Sequence, residues 1–187
     1  RADLYMVSFL LGSVAAGFYA VVLKVIEGFG RFVDALGLIM LPMIAKLNRS
    51  ERNDLTKKVT LTTVAFALVI SLGVAALGEH VVNIIFGQQF LPSAPLLKIG
   101  IFALIPLSAW KILANDFIGR GLLAHYAASA AVGSISIMSL NYLLLSRYGV
   151  IVAPWVLIAS YSISACILIE LAHYRLGISW SIPPLNL

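Results

Sequence analysis

The sequence predicts an all-α integral membrane protein, a bundle of about six transmembrane helices whose first member is truncated. Three observations carry that expectation. Only 11% of the residues are charged against 61% hydrophobic, where soluble domains carry about 25% charge. Five apolar runs are each about 20 residues long, enough to cross ~30 Å of hydrocarbon, and a shorter one precedes them. The basic residues gather on alternate connections between these runs.

The first run, 1–14, opens with Arg1 and Asp3 and is short enough to be the remainder of a longer helix. The chain lacks an initial Met and a signal-peptide pattern, and so is expected to begin as a fragment does. The second run is 17–45. The third, 59–77, is rich in Val, Ala, Leu and Thr and follows a charged stretch, Lys46 to Lys58, expected as a loop outside the bilayer. Between Glu79 and Pro95 the apolar part, Val81 to Phe86, is too short to span and is expected at the interface.

The fourth run is 96–114, and the fifth, 126–145, contains small residues from Ala127 to Ser136 that allow close helix approach. The sixth, 151–172, includes the single cysteine, Cys166, expected as a small packing residue; no disulfide within the chain is possible. Pro106 and Pro154 fall within the fourth and sixth runs and predict kinks.

Eight of the thirteen Lys and Arg residues lie on one set of alternate connections: Arg1, Lys46, Arg49, Arg52, Lys57, Lys58, Arg120 and Arg175. The other set holds only Arg147, and Lys24, Arg31, Lys98 and Lys111 fall within or beside the runs. By the positive-inside rule both ends are cytoplasmic. This placement accounts for most of the net charge of +5 without a nucleic-acid partner; the bilayer is the expected partner instead.

Within the second run Lys24, Glu27, Arg31 and Asp34 are spaced by three, four and three residues. At about 100° per helical residue they share an arc of roughly 80°. A charge at mid-bilayer costs about 2.5–3.5 kcal/mol on insertion scales, so the stripe is expected to turn away from lipid, toward other helices or a water-filled cavity. It has two readings. It is a self-neutralising ladder of i,i+3 and i,i+4 pairs, or Lys24 and Arg31 attract an anionic group, the planar fork of Arg suiting phosphate. Lys111, beside Trp110, lines the same cavity or snorkels to the boundary. Asp3 stands at a helix start, and Asp116 and Arg120, at i and i+4, form a helix-end ion pair or a gate.

No zinc-type pattern, phosphate-cradling glycine loop or nucleophile elbow is present, and His80, His125 and His173 stand singly near run boundaries. Neither an enzyme nor a metal or other cofactor is expected. A membrane glycosyltransferase or ligase is disfavoured by the shortness of the connections.

Several segments resemble the C-terminal half of polysaccharide flippases, of the O-antigen-unit type, in the multidrug/oligosaccharidyl-lipid/polysaccharide exporter superfamily. They are Arg1 to Met6 entering a helix, Ala16-Gly17-Phe18-Tyr19-Ala20, and Leu41-Pro42-Met43-Ile44-Ala45-Lys46. Further on are Ile84 to Phe90 with Ala94 to Ile99, and Asn141 to Val150. The resemblance spans nearly the whole chain. It implies that residues 1–187 form the C-terminal lobe of a two-lobed transporter in the bacterial cytoplasmic membrane, the N-terminal lobe being a further partner. It also implies a role in polysaccharide or lipopolysaccharide biosynthesis, with polyprenyl-diphosphate-linked oligosaccharide as the cargo.

On that expectation Lys24 and Arg31 neutralise the diphosphate, Glu27 and Asp34 tune them or serve a coupling ion, and Lys111 adds positive charge. The lobes rock between inward and outward openings. The rival is a cation-coupled multidrug or small-molecule antiporter of the same superfamily, with Asp3, Glu27 or Asp34 coupling to protons or sodium; it calls for an acid-dominated interior.

Overall fold

The architecture was obtained as a computed structural model, which describes residues 2–44, 46–178 and 180. It is almost entirely helical, with no strand among the described residues. The helices are α1 (Ala2–Ile44), α2 (Arg49–Phe86), α3 (Ala94–Gly100), α4 (Leu104–Gly119), α5 (Leu123–Tyr148) and α6 (Ala153–Leu171). Four continuous helical runs among the described residues are long and apolar enough to cross a membrane: Asp3–Ile44, Arg49–Phe86, Gln88–Gly119 and Leu123–Leu176.

Two of these runs are interrupted by a glycine. In α1, Gly12 has φ 88° and ψ 170°, a backbone region open essentially to glycine alone. Tyr19 Oη donates a hydrogen bond to Asp3 Oδ2 at 3.1 Å. Sixteen residues of straight helix span about 24 Å, so this contact requires the chain to fold back. A short arm therefore lies along a long one, with Leu4, Tyr5 and Ser8 facing Ser13, Ala16, Gly17 and Ala20 across a groove. The sequence places this break at 15–16. It falls at Gly12 instead, and one glycine does the work of a loop.

Gly149, with φ 68° and ψ −166°, separates α5 from α6, which then pack on each other. Gly133 lies against Ser164; a Cβ there would stand 2.0 Å from Ser164 Oγ. Of the small residues expected to permit close approach, Ser129 and Gly133 are buried, whereas Ala127, Ala128, Ala131 and Ser134 are exposed.

α2 begins with a capping box: Glu51 N donates to Asn48 Oδ1 at 3.0 Å and Asn48 N to Glu51 Oε2 at 3.3 Å. The expected charged loop is thus largely helix, with Arg49 to Lys58 forming the first turns of α2. At the other end, Glu79 to Phe86 continue α2 rather than forming a separate interfacial piece, because no residue between 49 and 86 breaks the helix. At 38 residues α2 is about 57 Å long, well beyond the ~30 Å hydrocarbon layer.

Pro106 lies in the first turn of α4, after a 3₁₀ turn, Ile101–Ala103, and Ser71 Oγ donates to Ile101 O at 3.1 Å. The expected irregularity is therefore a local tightening braced by α2. Pro154 starts α6 rather than kinking it, since the first turn needs no donor at that position.

The largest cluster of buried apolar side chains joins α1 to the α3–α4 run and α6 through Tyr19, Val22, Leu97, Ile101 and Leu157. Gly100 sits where α1 and α6 approach; a Cβ there would stand 2.4 Å from Val22 Cγ1 and 3.4 Å from Pro154 Cβ. Gly100→Ala should therefore destabilise the bundle by about 1–3 kcal/mol. Thermal unfolding in detergent should show the loss, and Val22→Ala should recover part of it by vacating the space. Outside, large apolar side chains are bare, Phe9 at 89% and Ile84 at 82% exposure among them. Such a surface is an aggregation liability in water and suits a lipid environment. Cys166 also faces outward and is not packed within the bundle, contrary to expectation.

Candidate functional site

The long arm of α1 carries the charged stripe, and α4 lies against it at two glycines. A Cβ on Gly30 would meet Lys111 Nζ and Cε at 3.7 Å, and one on Gly37 would meet Asn115 Nδ2 at 2.2 Å. This proximity lets Lys111 reach across. Its Nζ donates to Asp34 Oδ1 and Oδ2 at 2.5 and 2.6 Å, with the two side chains 20% and 48% exposed. Asp34 is thus paired between helices, 77 residues apart in sequence, rather than with Arg31 along its own helix. Lys111 does not snorkel away; it is turned inward to this pair.

Around the pair lies a cavity of about 470 Å³. Glu27, Arg31 and Asp34 line it from α1, Leu107, Trp110 and Lys111 from α4, Tyr161 from α6, and Asp3 from the short arm of α1. Arg31 is exposed, and among the described residues no hydrogen bond or ion pair reaches it. Its fork of donors is therefore available to a ligand. Lys24 is also exposed but does not line the cavity, so the stripe divides: its last three members form the wall and its first stands outside.

Asp3 is the main gain over the sequence. It stands in the first turn of α1, as expected of a helix start, and the Gly12 break also folds it into the bundle, 8% exposed and hydrogen-bonded by Tyr19. It lines both this cavity and a second one of about 240 Å³ between α5 and α6. Trp110 and Tyr161 are likewise shared, and Ser160 and Ser164 add hydroxyls to the second space. Trp110 is held by its Nε1 donating to Ser129 Oγ at 3.2 Å and by its ring, 5.9 Å from that of Tyr126. Among the described lining residues of the larger cavity, three carboxylates therefore accompany two cations.

Tyr161, Ser160 and Ser164 were not singled out by the sequence reading. A signal was present in the polar stretch Ser160-Tyr161-Ser162-Ile163-Ser164 within an apolar run, although Ser162 falls on a different face and blurs it.

Asp116 and Arg120 are not brought to the cavity. They form the expected i,i+4 pair, Arg120 Nε donating to both carboxylate oxygens at 3.0 and 2.9 Å, but the pair is buried at the far end of α4, with 0% and 7% exposure. Lys98 also lies away from the cavity and pairs with Glu79 at 2.6 Å. His80 and His173 are exposed, and the His125 ring lies tilted beside that of Phe117, with centroids 6.2 Å apart. Among the described residues no three His, Cys, Asp or Glu side chains are grouped to hold a metal ion. No family model, curated protein or solved structure matches the chain.

Proposed function

We propose that this chain is the C-terminal lobe of a two-lobed transporter with about six transmembrane segments, moving polyprenyl-diphosphate-linked oligosaccharide across the bacterial cytoplasmic membrane. The observation that carries the reading is Arg31: a guanidinium without a partner among the described residues, at the wall of a polar cavity inside a bundle whose outer surface is apolar. Such a group can take two phosphate oxygens at once. The sugar head occupies the cavity and the polyprenyl tail stays in lipid. Rocking against a second lobe opens the cavity to one side and then the other. Lys111 pairs with Asp34 and orients the wall, and on this proposal the cavity's carboxylates, Asp3 and Glu27 among them, attract a coupling proton or sodium ion.

A second reading is favoured by one specific observation. With Lys24 outside and Asp3 inside, carboxylates outnumber cations among the described lining residues, as a cation-coupled antiporter for drugs or other small molecules requires. One experiment separates the two. Full-length protein in proteoliposomes is given fluorescent polyprenyl-diphosphate oligosaccharide in one arm and an organic cation in the other, each with an imposed proton or sodium gradient. Facilitated movement of the lipid-linked sugar supports the flippase; movement of the cation alone supports the antiporter.

A further inference from the structure

The end of the bundle remote from the Glu79–Lys98 pair holds a second charged pocket, of about 370 Å³, walled by Arg49, Arg52, Arg120 and Arg175 with Leu122 and Leu176. Three different elements supply the arginines. Arg49 and Arg52 lie one turn apart at the start of α2, Arg120 caps α4, and Arg175 belongs to the π turn Ala172–Leu176 after α6. Asn53 Nδ2 donates to Leu176 O at 2.9 Å and ties α2 to that turn.

Four guanidinium groups at one pocket repel one another unless counter-charge is supplied, and the one carboxylate among the described residues that acts on them, Asp116, is shared between Arg120 and Arg52. Asp116 engages Arg120 through Nε only, and Arg120 Nη2 has no partner among the described residues although its side chain is just 7% exposed. Arg52 Nη2 donates to Leu47 O at 3.4 Å, but its Nε is also buried without a partner. Arg49 and Arg175 are exposed and make no ion pair among the described residues. Of the carboxylates on the first turns of α2, Glu51 accepts from Asn48 N, and Asp54 lines the neighbouring pocket with Lys57 and not this one.

A buried N–H without an acceptor is costly, and the acceptor that best fits several converging guanidinium forks is a phosphate. We propose that this pocket binds a phosphate-bearing anion, separate from any cargo in the central cavity. Its position among helix ends, at the basic face of an apolar bundle, is where anionic headgroups dock between helices; a soluble diphosphate has the same chemistry.

The test uses the full-length protein in two arms: cardiolipin retention from phosphatidylcholine nanodiscs by native mass spectrometry, and inorganic diphosphate binding by calorimetry at fixed ionic strength. The double variant Arg49→Gln with Arg175→Gln leaves the buried Asp116–Arg120 pair intact and should weaken binding about thirtyfold. The control, Lys46→Gln with Lys58→Gln, removes the same charge from two exposed positions and should change it by no more than about twofold. Binding in the cardiolipin arm identifies a headgroup site, and binding in the diphosphate arm a soluble anion. Absence of binding in both arms, or equal weakening in both double variants, overturns the proposal.

Discussion

Arg31→Ala should lower transport of the lipid-linked oligosaccharide about ten- to hundredfold at unchanged membrane abundance. A hydrogen bond to a charged group contributes about 1.5–3 kcal/mol, and each 1.4 kcal/mol is a factor of ten. Because Arg31 has no partner among the described residues, its removal unpairs nothing there, and unfolding temperature should stay close to wild type. Arg31→Lys keeps the charge and loses the fork, so it should recover only part of the rate. Lys24→Ala is the informative contrast. It removes an equal charge two stripe positions away, outside the cavity, and should change the rate by no more than about threefold. Equal losses at Lys24 and Arg31 would show that the stripe acts through its overall field rather than through a bound group.

Gly12→Ala should lower the unfolding temperature by about 3–10 °C and impair transport as well. A non-glycine residue at φ 88° costs about 1–3 kcal/mol, and about 1 kcal/mol shifts a domain of this size by 2–4 °C. The functional loss follows because the fold-back at Gly12 delivers Asp3 to Tyr19 and to both cavities. Gly17→Ala serves as the control. Gly17 is helical with nothing within 4 Å of an added Cβ, so alanine there should be neutral or slightly stabilising. Tyr19→Phe, which deletes only the hydroxyl, should reproduce part of the transport defect without the strain.

Hydropathy made the helical class and the long apolar runs legible, because burial of backbone polar groups in an apolar setting leaves helices as the simplest solution. The ends of elements were less so. Lys57 and Lys58 suggested a loop, yet a long helix can project beyond the bilayer and stay helical; the Asn48 and Glu51 capping box was the better signal. Gly12 could not be told from Gly17 or Gly28 by sequence, since its backbone conformation is set by how the short arm packs on the long one.

The site was legible as a stripe but not as a wall. Spacing put Glu27, Arg31 and Asp34 on one face, whereas the exclusion of Lys24 depends on where α4 lies. Lys111 meeting Asp34 is a contact 77 residues long that the close approach at Gly30 and Gly37 permits. Asp3 entered the site through a fold-back that no local pattern announces.

Transport of a diphosphate-linked sugar requires a wet cavity that takes its head group. Gly30→Cys, in a Cys166→Ser background of the full-length protein, puts one thiol on the cavity wall where a Cβ meets neighbours at ordinary contact distance. In intact membranes this thiol should react with an impermeant maleimide, and polyprenyl-diphosphate oligosaccharide should slow the reaction, while Ile135→Cys on the exposed apolar surface stays unmodified. A thiol at 30 that is unreactive from both sides, alongside a reactive one at 135, would contradict such a cavity.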